Sequence, residues 1–141
     1  MTKYFANLII LFIVDRLSKF FIIKYKPSYW DGFIDLHINR DIAFSIPMSG
    51  MVLYPLLVII FIVLIYLWLQ SLRKKDFFVW PLGLLIIGAV SNVLDRIYYG
   101  GVIDFINVRF FSVFNLSDIY ISIAVVWLLL LQFRKKENPV E

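Results

Sequence analysis

Apolar residues in this chain gather into four long blocks. The blocks cover about residues 4–23, 51–69, 77–94 and 118–133. Each approaches the roughly 20 residues that an α-helix needs to cross about 30 Å of hydrocarbon. Block two is almost purely aliphatic and aromatic. Block one is interrupted by Asp15, Arg16 and Lys19, and no small-residue cleavage site follows it. It therefore reads as a retained span rather than a removable leader. Block four is short unless residues 114–117 dip into the interface. The pattern predicts an all-α membrane protein with four transmembrane helices, forming one integral domain over residues 1–141.

The outer loops predicted by this layout cover about residues 24–50 and 95–117. In the first, Ile34, Leu36 and Ile38 alternate with Asp35, His37 and Asn39. Ile42, Phe44 and Ile46 alternate with Ala43 and Ser45. Period-two alternation predicts two short strands, a small extracytoplasmic β cradle between helices 1 and 2. Two strands alone are marginal in water, so they are expected to rest on the helices or the lipid surface. Tyr29 and Trp30 suit an interfacial aromatic belt.

Composition agrees with a membrane class. The chain is 62% hydrophobic, well above the about 45–50% of soluble domains. Mean hydropathy is +0.85. There is no cysteine and a single histidine, His37, so thiolate chemistry and multi-histidine metal sites are excluded. No metal or other cofactor is expected. A net charge of +4, clustered at block ends, lacks the basic stripe of a nucleic-acid binder. Lys3, Arg73, Lys74, Lys75, Arg134, Lys135 and Lys136 fall on one side of a four-span layout. Lys24, Lys26, Arg40, Arg96 and Arg109 scatter over the other side. The positive-inside rule then places both termini in the cytoplasm.

Asp31, Asp35, Asp41, Asp76, Glu137 and Glu141 have a simple reading as solvated loop and tail residues. Asp15, Asp95, Asp104 and Asp118 lie in or beside spans, where a charge costs roughly 2.5–3.5 kcal/mol at a helix centre. Asp15 and Lys19 share a helix face at i and i+4, the spacing of a self-neutralising pair, with Lys19 reaching toward the outer surface. Asn92 and Arg96 have the same spacing at the outer end of block three. They are candidates for interhelical bonding or for holding a backbone carbonyl. Asp95 adjoins them. Asp104 lies in a loop of apolar residues after Gly100 and Gly101, where burial raises a carboxylate pKa. Asp118 opens block four, with Ser117 as its N-cap. Two acids in different surroundings could form an acid/base pair. They could equally be a loop acid and a helix-capping acid, and the residues alone leave both readings open.

Five segments, in order, resemble those of the lipoprotein signal peptidase family, the type II signal peptidases of bacteria. Asp15-Arg16-Leu17-Ser18-Lys19 is similar to the family's D-x-x-[ST]-K. Asn39 with Ala43-Phe44-Ser45 resembles N-x-G-x-A-[FW]-[SG]. Gly88, Asn92, Asp95 and Arg96 follow G-x-x-x-N-x-x-D-R. Gly101-Val102-Ile103-Asp104-Phe105 resembles G-x-V-x-D-F, and Phe114-Asn115-Leu116-Ser117-Asp118 resembles F-N-x-A-D. Three features depart from the pattern: the first outer-loop box lacks its glycine, Ser117 stands at the usual alanine, and the Gly100-Gly101 pair lies one residue closer to Asp104.

The resemblance implies an aspartic endopeptidase with Asp104 and Asp118 as catalytic dyad. It implies that Asn39, Asn92, Arg96 and Asn115 bind substrate and support the aspartates, with Asp15, Lys19 and Asp95 as structural polar residues. Implied partners are prolipoprotein signal peptides carrying diacylglyceryl-cysteine, together with membrane lipids, and the enzyme is expected to be a monomer. The implied location is the bacterial inner membrane with the active site at the extracytoplasmic face. Ile103 and Ile119 are candidates to receive acyl chains. An intramembrane protease of the presenilin kind is disfavoured, because neither its Tyr-Asp nor its Gly-x-Gly-Asp string occurs. A small transporter would predict a repeated half, and none is visible.

Overall fold

The computed structural model describes residues 2–25, 32–40 and 50–137. Four helices and two strands follow in the order α1 (Thr2–Tyr25), β1 (Ile34–Asn39), α2 (Gly50–Lys74), α3 (Val79–Tyr99), β2 (Val102–Ile106) and α4 (Leu116–Glu137). The helices α2, α3 and α4 are long and apolar enough to cross a membrane. The protein is therefore a multi-pass membrane protein. With 24 residues, α1 is roughly 36 Å long at 1.5 Å per residue. Its charges set it apart from the other three.

The central helix is α3. It touches α1, α2, α4 and β2. Gly88 explains its closeness to α4: a Cβ there would stand 2.8 Å from the Ser117 carbonyl oxygen and 2.9 Å from Ile121. Leu8, Leu84 and Ala124 bring α1, α3 and α4 together in a small apolar core. Pro81 sits in the first turn of α3, where its missing N–H has no helical partner to lose. At the other end Gly100, with φ 72°, takes the left-handed turn that stops the helix, and its N–H donates to the Arg96 carbonyl. Most of the α2 and α4 surface is apolar and uncovered by protein, as a lipid-facing surface requires.

The sheet bears out one of the two strands read in the sequence. The strand predicted at Ile34, Leu36 and Ile38 is present as β1. The second predicted strand, at Ile42, Phe44 and Ile46, lies outside the described residues, as do Tyr29 and Trp30. Among the described residues β1 pairs with β2, from the second predicted outer loop, so the sheet ties together the two long connections. Asp104 is accordingly a strand residue, not a loop residue. Val102 through Phe105 are buried on both faces, and that removes the polar alternation that betrays a half-exposed strand. The strands are antiparallel, with Asn39 opposite Val102 and His37 opposite Asp104.

Candidate active site

Three segments deliver the site. Strand β2 carries Asp104. An isolated bridge between Ile106 and Phe114 folds the following loop back on the strand. Asn115 therefore arrives beside Asp104, and α4 begins at once with Leu116. Asn115, not Ser117, caps this helix. Its Oδ1 accepts the Asp118 N–H at 3.0 Å, and Asp118 Oδ2 accepts the Asn115 N–H at 3.1 Å. This is a reciprocal capping box, with Asp in the place usually held by Glu. The cap occupies one Asp118 oxygen and turns the other toward α3.

Asparagine amides hold the two carboxylates. Asn115 donates from Nδ2 to Asp104 Oδ1 at 2.7 Å, so one residue bonds both aspartates. Asn39 lies diagonally across the sheet and donates to Asp104 Oδ2 at 3.0 Å. Asn92 donates from Nδ2 to Asp118 Oδ1 at 2.8 Å, while its Oδ1 accepts from Asn115 and Lys19. Arg96 donates to the Asn92 carbonyl at 3.4 Å. Burial pushes the Asp104 carboxyl up to about 6, and the Asp118 charge adds to the rise. The amides of Asn39 and Asn115 and the charge of Lys19 pull the other way. Asp104 is 2% exposed.

Both aspartates line one cavity of about 800 Å³, together with Asn39, Asn92 and Arg96. The rest of its wall is largely apolar. Ile119, Ile123 and Val126 of α4 continue the wall, and Leu57 of α2 and Phe111 also line it. The site thus joins a polar end containing two acids to a greasy slot along a membrane helix.

A family model described as Signal peptidase (SPase) II matches residues 7–134. The chain belongs to the signal peptidase II family. Two similar proteins carry the name lipoprotein signal peptidase. The one from Sulfurimonas denitrificans is 38% identical over 89% of this chain and 84% of its own length. The one from Pelagibacter ubique is 33% identical over 96% of this chain and 94% of its own. A solved bacterial membrane enzyme shares the fold at a TM-score of 0.87, covering 100% of this chain and 93% of that one, at 24% identity.

In this family member the structure brings Asp104, Asp118, Asn39, Asn92 and Arg96 to one cavity, with Asn115 fully buried and bonded to both aspartates. Asp15, Lys19 and Asp95 form a separate buried group behind it. Asp15 and Lys19 pair as their i,i+4 spacing predicted, but Lys19 does not reach the outer surface. It is fully buried, because Asp15, Asp95 and Asn92 all accept from it. Ile103 is 0% exposed and faces no lipid, so only Ile119 of the two proposed acyl-facing residues lines the cavity. Two residues were not anticipated: Arg16, which pairs with Asp95, and Ser91, which donates to Asp15; Ser117, read as an N-cap, instead donates its backbone N–H to Asp15. Charge balance could have pointed to Arg16. Block one carries one more cation than it neutralises, and Asp95, at the outer end of block three, is the available acid.

Proposed function

We propose that this chain is an aspartic endopeptidase that removes signal peptides from diacylglyceryl-modified prolipoproteins, cutting immediately before the lipidated cysteine. The observation that carries the reading is the sharing of Asn115 between Asp104 and Asp118 at the polar end of one cavity. In the proposed mechanism Asp104 is the protonated member at rest and Asp118 the ionised one. Asp104 donates its proton to the scissile carbonyl oxygen while Asp118 takes a proton from water. The hydroxide so formed attacks the carbonyl carbon and gives a gem-diol. Asp118 then protonates the departing cysteine nitrogen, the C–N bond breaks, and a gem-diol hydroxyl returns the proton to Asp104. Asn92 and Arg96 would orient the peptide backbone. The apolar wall at Ile119, Ile123 and Val126 would take the acyl chains.

In this reading α1 is a fourth span. Its charges are tolerated because Asp15, Arg16 and Lys19 all find partners inside the protein. Both termini then face the cytoplasm of a bacterial inner membrane, and the cavity opens at the extracytoplasmic face, where a membrane-tethered substrate presents its lipidated cysteine. The test is cleavage of a synthetic diacylglyceryl-cysteine signal peptide by the purified, reconstituted protein. Asp104→Asn and Asp118→Asn should each lower turnover by about a thousandfold, within the span of general acid–base catalysis, while remaining folded. Wild-type turnover in either variant would overturn the dyad.

A further inference from the structure

Behind the cavity lies a group of four charges, three of them buried and Arg16 partly exposed, whose geometry the proposed chemistry does not use. Asp15, Lys19 and Asp95 are each 0% exposed. Lys19 Nζ stands 3.2 Å from Asp15 Oδ2 and 2.7 Å from Asp95 Oδ2. Arg16 pairs with Asp95 Oδ1, so two acids face two bases and the group is neutral. A buried ion pair is weak support for stability, because desolvation offsets most of the attraction. Fold maintenance alone therefore accounts poorly for its presence.

What singles the group out is where its acids reach. Asp95 Oδ2 accepts the backbone N–H of Ile103 at 3.3 Å. Asp15 Oδ1 accepts the backbone N–H of Ser117 at 2.9 Å. Ile103 directly precedes Asp104, and Ser117 directly precedes Asp118. Each acid thus grips the peptide unit one residue before a dyad aspartate. Lys19 joins the two grips, and it also donates to Asn92 Oδ1 at 3.0 Å. A donor on Oδ1 leaves the Asn92 amide nitrogen to face Asp118.

We infer that Asp15, Lys19 and Asp95 act as a clasp that sets the separation of Asp104 and Asp118, so that they are positioning residues for catalysis. This rests on the dyad reading above. Strand β2 and helix α4 come from different parts of the outer loop, and their own contacts are few. The clasp refers both to one rigid point on α1 and α3. A misplacement of about 1 Å between reacting groups can cost on the order of a hundredfold in rate.

Two conservative changes separate positioning from bracing. Asp→Asn keeps an oxygen acceptor in place and deletes the charge. Asp→Glu keeps the charge and moves the acceptor by about one bond length, roughly 1.5 Å. With the lipidated peptide at a temperature where each variant is folded, D15N and D95N should hold kcat within about threefold of wild type and melt earlier. D15E and D95E should lose about tenfold or more in kcat, with KM within about twofold. The clasp is overturned if the Glu variants keep wild-type kcat, or if the Asn variants fall as far as the Glu variants. Where Glu variants do not accumulate as folded protein, the pair Asn against Ala decides. An Ala variant near a hundredfold down beside an active Asn variant supports the clasp, and equal kcat overturns it. D104N and D118N run alongside: inactive dyad variants with unaffected Glu variants sink the clasp alone, whereas active dyad variants sink the dyad reading itself.

Discussion

Removing the Asn39 amide should move the alkaline limit of activity upward. Asn39 donates to Asp104 Oδ2 at 3.0 Å and so favours the ionised form. Asp104 already sits at about 6, against 3.8 for a free carboxyl, because burial and the Asp118 charge favour the neutral form. If neutral Asp104 is the required state, kcat/KM falls as pH rises through about 6. Deleting a donor to the carboxylate in Asn39→Ala raises that pKa further. A hydrogen bond to a charged group contributes about 1.5–3 kcal/mol. Asn39 is half-buried, so roughly 1 kcal/mol is a fair share, and one pKa unit corresponds to about 1.36 kcal/mol. The limb should therefore shift by between about half a unit and one unit toward higher pH. The two acids titrate as a pair, so the quantity to compare is the apparent limb in each protein. The assay is kcat/KM from pH 4.5 to 8.5 (about half-unit steps) in reconstituted membranes, for wild type and Asn39→Ala. An unmoved limb, or one displaced toward acid in a folded variant, would refute the assignment of Asp104 as the proton-bearing acid.

The remaining predictions concern stability and packing. Asp104 has a folded pKa above its unfolded value, so the folded protein holds a proton that the unfolded chain releases. Stability from this group is present below about pH 4 and is lost as pH rises through about 6, and thermal melting should show that decline. Gly101→Ala places a Cβ 2.8 Å from the Asn39 carbonyl oxygen and Ile38 Cγ2. It should cost about 1–3 kcal/mol and reduce turnover by pushing β1, with Asn39, away from Asp104. Gly88→Ala should cost a similar amount through the α3–α4 contact, read as a lower melting temperature. The Ser117 hydroxyl is buried without a hydrogen-bond partner among the described residues. Ser117→Ala should therefore be neutral or stabilise by about 1 kcal/mol, with turnover kept; a clear loss of stability would reveal a bond to that hydroxyl.

The hydrophobic pattern located all four helices; for α2, α3 and α4 the long apolar runs that lipid surroundings demand need no tertiary contact to produce that signal. The helix ends extended beyond it. Helix α2 continues to Lys74 and α3 to Tyr99, since polar residues prolong a helix into the interface without adding apolar signal. The alternation at Ile34, Leu36 and Ile38 revealed β1, which keeps one side accessible. Strand β2 left no alternation, because Val102, Ile103, Asp104 and Phe105 are buried on both sides. Among the described residues the strand paired with β1 lies more than sixty residues along the chain, a distance that local alternation cannot signal.

Asp104 and Asp118 were visible as acids beside apolar segments, where a charge requires a reason. Their relation was not visible. From the sequence alone came the expectation that they lie on the same side of a membrane, drawn from four span lengths and the basic clusters between them. Tertiary structure decided that Asn115 bonds both, that Asn39 reaches across the sheet to Asp104, and that Asp15 and Asp95 each grip the residue before one of them. Hydrogen bonds depend on orientations fixed to fractions of an ångström by packing between distant segments. Hydrophobicity carries no such directional information, so a sequence pattern can place a helix in the bilayer without saying which amide faces which acid.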